Sequence, residues 1–326
     1  MKVLVTGGSG FLGSHVAEIL SGEGHDVVAL VRKTSNTKFL KTLERVTLAE
    51  GAVEDRASVE RAIEGVDAIV HSAGLVKARD EGEFRKVNTQ GTVNLLEAAK
   101  SLAPKARFVH VSTLEACGPS LDGRPVPADQ ERPLTAYGRS KLAAEQECIA
   151  RKDELHTVVL RPAAIYGPRD VEILEAFRAV RRRQYPVIGD GSMLGCYVFG
   201  PDCARACVLA INADVPSGSV YFVDDGRPMT MREAWGEVVP SAVGKSAIVK
   251  LGVPLGLLSV ASVGVEAYGK LRGKAVMLTR EKVNMLRHHW VCASDKTRED
   301  LGWSPEVDLV EGAKRTMRWY EDHGWL

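Results

Sequence analysis

Short apolar runs alternate with amphipathic stretches through the first half of the chain. Lys2–Thr6, Asp26–Val31, residues 66–71, Arg107–Val111 and residues 157–161 are near-continuous apolar runs of strand length. Between them, residues 11–20, 58–63, 88–101 and 136–149 repeat apolar positions every three to four residues, as helices with one buried face do. Strands without polar alternation are buried on both faces, and strands that alternate with helices pair in parallel. The pattern predicts an α/β fold built on a doubly wound parallel sheet. Beyond Arg161-Pro162 the rhythm breaks: a helix near 171–182, another near 201–213 and a strand at 220–223 are separated by loops rich in Gly and Pro. The expected organisation is a layered domain over residues 1–165 and a smaller covering part over 166–326, able to return strands to the sheet.

Residues 251–265 are the most apolar stretch, yet Pro254 and three glycines interrupt them, and they fall short of the ~20 residues a bilayer span requires. They read as a core helix, or as a greasy lid over an apolar substrate. Composition adds little to this picture. The 326 residues are 45% hydrophobic and 26% charged with a net charge of +1, which argues against disorder and against nucleic acid as a partner. Met1-Lys2 runs straight into the first strand with no apolar leader, so a cytoplasmic protein without a transmembrane segment is expected. Cys117, Cys148, Cys196, Cys203, Cys207 and Cys292 show no paired Cys-x-x-Cys spacing and do not interleave with histidines, so they read as isolated buried thiols with no metal site. Cys203 and Cys207 lie one helical turn apart and should share a buried face. Arg181-Arg182-Arg183 reads as a solvated helix end.

Candidate chemistry begins at Thr6-Gly7-Gly8-Ser9-Gly10-Phe11-Leu12-Gly13, which follows the first strand and opens the first helix. Glycines there let the backbone turn tightly and approach a pyrophosphate, and the helix N-terminus supplies free amides and a favourable dipole. The second strand ends at Leu30-Val31-Arg32-Lys33, where NAD-specific sites usually carry an acid for the ribose 2′-hydroxyl. Arg32 is instead placed to pair with a 2′-phosphate, which favours NADP(H) over NAD(H); the alternative is a solvated loop cation. Further on, Tyr137-Gly138-Arg139-Ser140-Lys141 puts a phenol and an ammonium four residues apart on one helical face. A phenol has pKa ~10, and a fixed cation beside it would bring the phenolate nearer to working pH. Tyr137 could then exchange a proton with a substrate hydroxyl or carbonyl.

The Gly7, Gly10, Gly13 spacing and the Tyr137, Lys141 pair resemble the extended short-chain dehydrogenase/reductases. His71-Ser72-Ala73-Gly74, the segment from Asn88 to Asn94, Val111-Ser112-Thr113 and Arg161-Pro162 to Tyr166-Gly167-Pro168 are similar to family segments in the same order. The resemblance implies a Rossmann-type domain with Gly7, Gly10, Phe11, Leu12, Gly13, Arg32, Val53, Ala73, Asn88, Tyr137, Lys141 and Pro162 at the cofactor. It implies catalysis by Tyr137 and Lys141, with Thr113 polarising the substrate oxygen and Ser112 as its alternate. Gly51-Ala52-Val53 follows a third strand and departs from the family's Gly-Asp-Leu, which removes a side-chain contact to the adenine. The resemblance also implies a homodimer formed through helices 88–101 and 136–149.

Nucleotide-sugar epimerases of the superfamily clamp a diphosphate with an Arg-Asp-Phe segment, and the matching place here is Gly195-Cys196-Tyr197. Sugar dehydratases carry Thr-Asp-Glu after the fifth strand; this chain has Thr113-Leu114-Glu115. With Arg32, Tyr221 to Gly226 and Trp290 to Pro305, the chain is most similar to the 3β-hydroxysteroid dehydrogenase and dihydroflavonol reductase branch. That resemblance implies NADP(H)-linked interconversion of a secondary alcohol and a ketone on an apolar polycyclic substrate, with a nucleotide-sugar epimerase or dehydratase as the alternative.

Overall fold

The computed structural model describes residues 1–245 and 249–326. Seven strands form one parallel sheet: β1 (Lys2–Thr6), β2 (Asp26–Val31), β3 (Val46–Glu50), β4 (Ala68–His71), β5 (Arg107–Val111), β6 (Thr157–Pro162) and β7 (Ser219–Val223). Their spatial order is β7-β6-β5-β4-β1-β2-β3. The direction of winding reverses between β1 and β4, and the crossovers that leave there in opposite directions open a crevice at the carboxyl ends of the strands.

Helices cover both faces of the sheet: α1 (Phe11–Gly22), α2 (Arg56–Ile63), α3 (Gly91–Leu102) and α4 (Ala136–Ala150) from the first half, then, beyond α5 (Leu174–Arg181), α6 (Gly200–Asn212). Along β1, Val3 and Val5 join the core under α1 and α6, while Leu4 joins the opposite core under α2 and α3. Successive side chains of a strand face opposite ways, so a strand covered on both sides must be apolar throughout. Cys203 and Cys207 are buried together in the α1 and α6 core, as their spacing required. Both α6 and β7 come from the second half of the chain, so the sheet layer extends past residue 165.

Two elements differ from the pattern reading. The edge strand β3, Val-Thr-Leu-Ala-Glu, has only half-buried and exposed positions and therefore no continuous apolar run. The helix expected from residue 88 begins at Glu81, where the Asp80 side chain accepts from the Glu83 amide at 2.9 Å. It then passes through a wide π-type turn at Arg85–Gln90 before continuing as α3.

The second half adds an aromatic core in which Tyr166, Phe177, Tyr185, Tyr197, Trp235 and Tyr320 pack together. Arg181, Arg182 and Arg183 are exposed at the end of α5, as expected. The apolar stretch 251–265 is not a core helix. Its first residues finish the strand Val249–Val253, which pairs in parallel with Gln184–Ile188, and Pro254 caps α7 (Leu255–Arg272). Only Ser262 and Gly269 of α7 are buried. The chain closes with α8 (Arg280–Met285), α9 (Asp295–Leu301) and α10 (Leu309–Asp322). No described helix is long and apolar enough to cross a membrane.

Candidate active site

The loop between β1 and α1 is shaped by glycine at two places. Gly7 takes φ +70°, and its carbonyl accepts from the Gly10 amide at 2.8 Å. A Cβ on Gly7 would lie 2.8 Å from the Ala73 amide nitrogen, and one on Gly13 would lie 2.2 Å from the Gly7 oxygen, closer than any side chain tolerates. The loop is therefore wedged against the segment after β4. Below it, Thr6 Oγ1 and His71 Nδ1 are 2.7 Å apart, and His71 Nε2 lies 2.9 Å from Thr92 Oγ1. Burial holds His71 well below the ordinary histidine range, so this chain of bonds is neutral.

Helices α2, α4 and α10 are capped by Asp55, Thr135 and Asp308; α1 has no side-chain cap and no acid in its first turn. Its leading amides and dipole are left for an anion from outside the helix. The cleft in front of them has a volume of about 540 Å³ and is lined by Gly7, Gly10, Phe11, Leu12, Gly13, Arg32, Val53, Ala73, Tyr137 and Lys141 among the expected residues. The uncapped helix, the close glycine backbone and the length of the cleft from Arg32 to Tyr137 fit a nicotinamide dinucleotide. At its far end Arg32 is exposed beside Ser35 and Asn36 and makes no ion pair among the described residues.

Two expected cofactor residues do not line this cleft. Asn88 is buried behind it: its Oδ1 accepts from the Leu75 amide at 2.7 Å and its Nδ2 donates to Leu75 O at 3.1 Å and Ser140 Oγ at 2.9 Å. It ties the loop after β4 to α4. Pro162 ends β6 in register with Val223, and Ile165 reaches the cleft in its place. Asp170, Val171 and Glu172 also line it, and the Glu172 carboxylate meets Lys77 at 2.7 Å across its mouth. Their place directly after Arg161 to Pro168 was the sequence signal that could have named them.

The reactive pair is positioned by the start of α4. Thr135 accepts from the Gly138 amide at 2.9 Å and donates to Glu115 at 2.8 Å. A Cβ on Gly138 would lie 2.6 Å from Glu115 O, so the helix start rests directly on the turn after β5. Tyr137 is thereby set beside Thr113, whose hydroxyl is its hydrogen-bond neighbour. Lys141 is buried and donates to Val111 O at 2.6 Å; burial pulls its pKa down to about 8.

The electrostatics differ from the expected phenolate. Burial pushes the Tyr137 phenol well above its ordinary range, the nearby Glu115 carboxyl pushes the same way, and the Thr113 bond opposes them. The Lys141 ammonium donates to the Val111 carbonyl. Burial also raises Glu115. Ser112 lines the glycine-loop cleft, but its hydroxyl donates to Glu145, which takes Arg161 Nε at 2.9 and 3.1 Å in a buried ion pair. Thr113 is the hydroxyl bonded to Tyr137, although it lines neither cavity.

A second cavity of about 460 Å³ lies on the other side of Tyr137 and Val76, which line both spaces. Its apolar wall includes Ala78, Phe84, Ala136 and Val276, and α7 contributes Glu266, Gly269 and Lys270. Three of its four acids are tied to arginines, Glu81 and Glu281 to Arg139 at 3.2 and 3.0 Å and Glu266 to Arg280 at 2.8 Å, while Asp80 caps the turn that starts at Glu81. Gly195, Cys196 and Tyr197 present no cation, and none of the three lines either cavity.

All six cysteines are free and buried. They are less isolated than expected: the Sγ atoms of Cys196 and Cys292 and a carboxylate oxygen of Asp224 lie within 4.8 Å of one another, outside both cavities. The strand 197–199 and β7 bring together what sequence spacing kept apart.

Residues 3–223 match the NAD dependent epimerase/dehydratase family. The chain is 30% identical to a ceramide reductase of Caulobacter vibrioides over 99% of its own length and 96% of that protein. It is also 30% identical to a decarboxylating sterol-4-alpha-carboxylate 3-dehydrogenase of Candida albicans, over 98% of each chain. Among solved structures, a dTDP-glucose 4,6-dehydratase of Streptomyces venezuelae with NAD bound superimposes with a TM-score of 0.79 at 26% identity, covering 100% of this chain and 98% of that one.

Proposed function

The chain belongs to the NAD-dependent epimerase/dehydratase family and is an NAD(P)-dependent enzyme acting on CH–OH groups; on that premise we propose that it interconverts a secondary alcohol and a ketone, with NADP(H), on an apolar sterol-like substrate. One observation carries the reading: Tyr137 stands in the wall shared by the glycine-loop cleft and the second cavity. A side chain there reaches a cofactor on one side and a substrate on the other. The ceramide and sterol relatives support an apolar substrate with an oxidisable carbon, and Arg32 beside Ser35 supports the 2′-phosphate.

The nicotinamide, when bound, supplies or takes the hydride. The protein's own part is proton management and orientation. Burial and Glu115 hold Tyr137 in its protonated form at neutral pH, which suits donation to a substrate carbonyl and so favours reduction. Thr113 bonds the same oxygen and fixes its distance from the phenol. Lys141 anchors α4 to β5 through Val111 and keeps its charge below about pH 8. Asn88 holds the floor of the site by joining the loop after β4 to α4. The enzyme works in the cytoplasm as a homodimer through α3 and α4.

The test follows the absorbance of the reduced nicotinamide with NADPH and NADH separately, against 3-ketosteroids, long-chain 3-oxo compounds, flavanones and UDP-sugars. Faster oxidation of NADPH with a 3-ketosteroid is the expected result. Interconversion of UDP-sugars with no net change in absorbance would overturn both substrate and cofactor assignments.

A further inference from the structure

Half of the large hydrophobic side chains exposed among the described residues fall within residues 249–277: Val249, Leu257, Val260, Val263, Tyr268, Leu271 and Met277, of fourteen in all. Most belong to α7, where they follow a rule. Leu257, Val260, Ala261, Gly264, Ala267, Tyr268 and Leu271 are all exposed and recur at three- and four-residue steps, one stripe along a helix about 27 Å long. Val260 is 74% and Leu271 85% exposed. The opposite side of α7 packs on α8 and on the loop at Val276, which meets Gly269. A helix of soluble proteins normally turns such a stripe inward; this one turns it out.

The helix is also poorly equipped to stand alone. It carries three glycines and three valines, and around Gly256 and Gly264 there is open space. Residues of these types form helices weakly in water. An apolar surface that covered the stripe would supply what the sequence lacks.

Charge says which surface. Residues 249–288 hold seven Lys and Arg against two Asp and Glu, in a chain whose net charge is only +1. Both acids are already paired, Glu266 with Arg280 and Glu281 with Arg139. Lys270, Arg272 and Lys274 stand exposed at the end of α7, and Arg287 is exposed beside its first half, where it bonds Ser259 Oγ at 3.2 Å. An exposed apolar stripe with cations at both ends complements the acyl edge and the negative headgroups of a bilayer. The stripe is too short and too broken to cross one.

We propose that α7 lies in the surface of a membrane containing anionic lipid, with the stripe from Leu257 to Leu271 buried among the acyl chains. The argument for docking stands on this surface alone. Its use rests on the reading above: Gly269 and Lys270 on the inner side of the same helix line the second cavity, so docking brings the mouth of that cavity to the lipid from which an apolar substrate would be drawn.

The test floats the full-length protein with vesicles of phosphatidylcholine alone and of phosphatidylcholine with phosphatidylglycerol. Binding to the mixed vesicles, weakened by salt, is expected. The double variant V260D/L271D should lower that binding by tenfold or more, and R272E by less. Both replace exposed side chains outside the two cavities, so the melting temperature and the turnover of a water-soluble ketone should be unchanged, which separates failed docking from failed folding. Absence of binding to either vesicle, or equal binding by V260D/L271D, overturns the proposal. So does a wild-type dimer that V260D/L271D splits in sedimentation, since the stripe would then face a second copy. A silent substrate panel alongside vesicle binding would count against the proposed reaction and leave the docking intact.

Discussion

Strand β1 and helix α7 are both apolar in sequence and have opposite fates. Val3, Leu4, Val5 and Thr6 are fully buried, whereas Leu271 stands almost as free as in an unfolded chain. The difference lies in what each element is offered. β1 is flanked by β2 and β4 and roofed by helices on both faces, so every side chain finds a partner. α7 touches the rest of the molecule along one side only. Apolar content marks a segment as needing cover; the fold decides whether the cover comes from the same chain.

Five substitutions, the first joined by a pH profile, break or sharpen that contrast. The largest concerns the site that the buried layer supports. Tyr137→Phe should lower turnover 10²- to 10⁴-fold while cofactor binding, read by fluorescence, and the melting temperature stay put. Since the phenol must be protonated to reduce a ketone and its pKa is raised, the rate of reduction should be level through neutral pH and fall only on the alkaline side; oxidation should climb there. A reduction rate that already declines as pH rises towards 7 would mean the phenol ionises early, as a nearby cation would make it do. Next, Arg161→Leu leaves the fully buried Glu145 carboxylate without its partner and should cost about 3–5 kcal/mol in urea titration. Leu4→Ala in the sheet should cost about 2–5 kcal/mol by the same measurement. Arg32→Ala should raise KM for NADP⁺ on the order of tenfold and leave that for NAD⁺ alone. Leu271→Ala comes last, with a change in stability within about 0.5 kcal/mol in the absence of lipid; a cost like that of Leu4→Ala would show that the stripe is covered by another part of the protein or by a second copy.

Most of the sheet was legible because a doubly covered strand leaves an unmistakable run of apolar residues. β3 left no apolar run, because an edge strand is covered only in part and tolerates Thr47 and Glu50, and its place before Gly51 came from the family resemblance alone. The wide turn at Arg85–Gln90 has no sequence signature of its own, so the start of that helix was read too late. At the site, the glycine loop, Thr113, Tyr137 and Lys141 were readable because short motifs on adjacent elements determine them. Asn88 and Pro162 do not line the cleft, since spacing reports which segment is near it and not which side chain faces it. The state of Tyr137 depends on burial, on Glu115 and on the Thr113 bond, and none of these can be read from a four-residue interval. The cluster of Cys196, Asp224 and Cys292 joins residues up to 96 positions apart and exists only in the fold.

The packing of α6 on α1 also sets a timetable for synthesis. The first helix ends at Gly22, and the helix that roofs it ends at Asn212, about 190 residues later. At ribosomal speeds of roughly 5–20 residues per second, the nascent chain carries the bare apolar side of α1 for roughly 10–40 s before its cover emerges. The nucleotide-binding half therefore cannot mature as it leaves the exit tunnel, and a chain truncated before residue 200 should be held by chaperones and not released as a folded fragment.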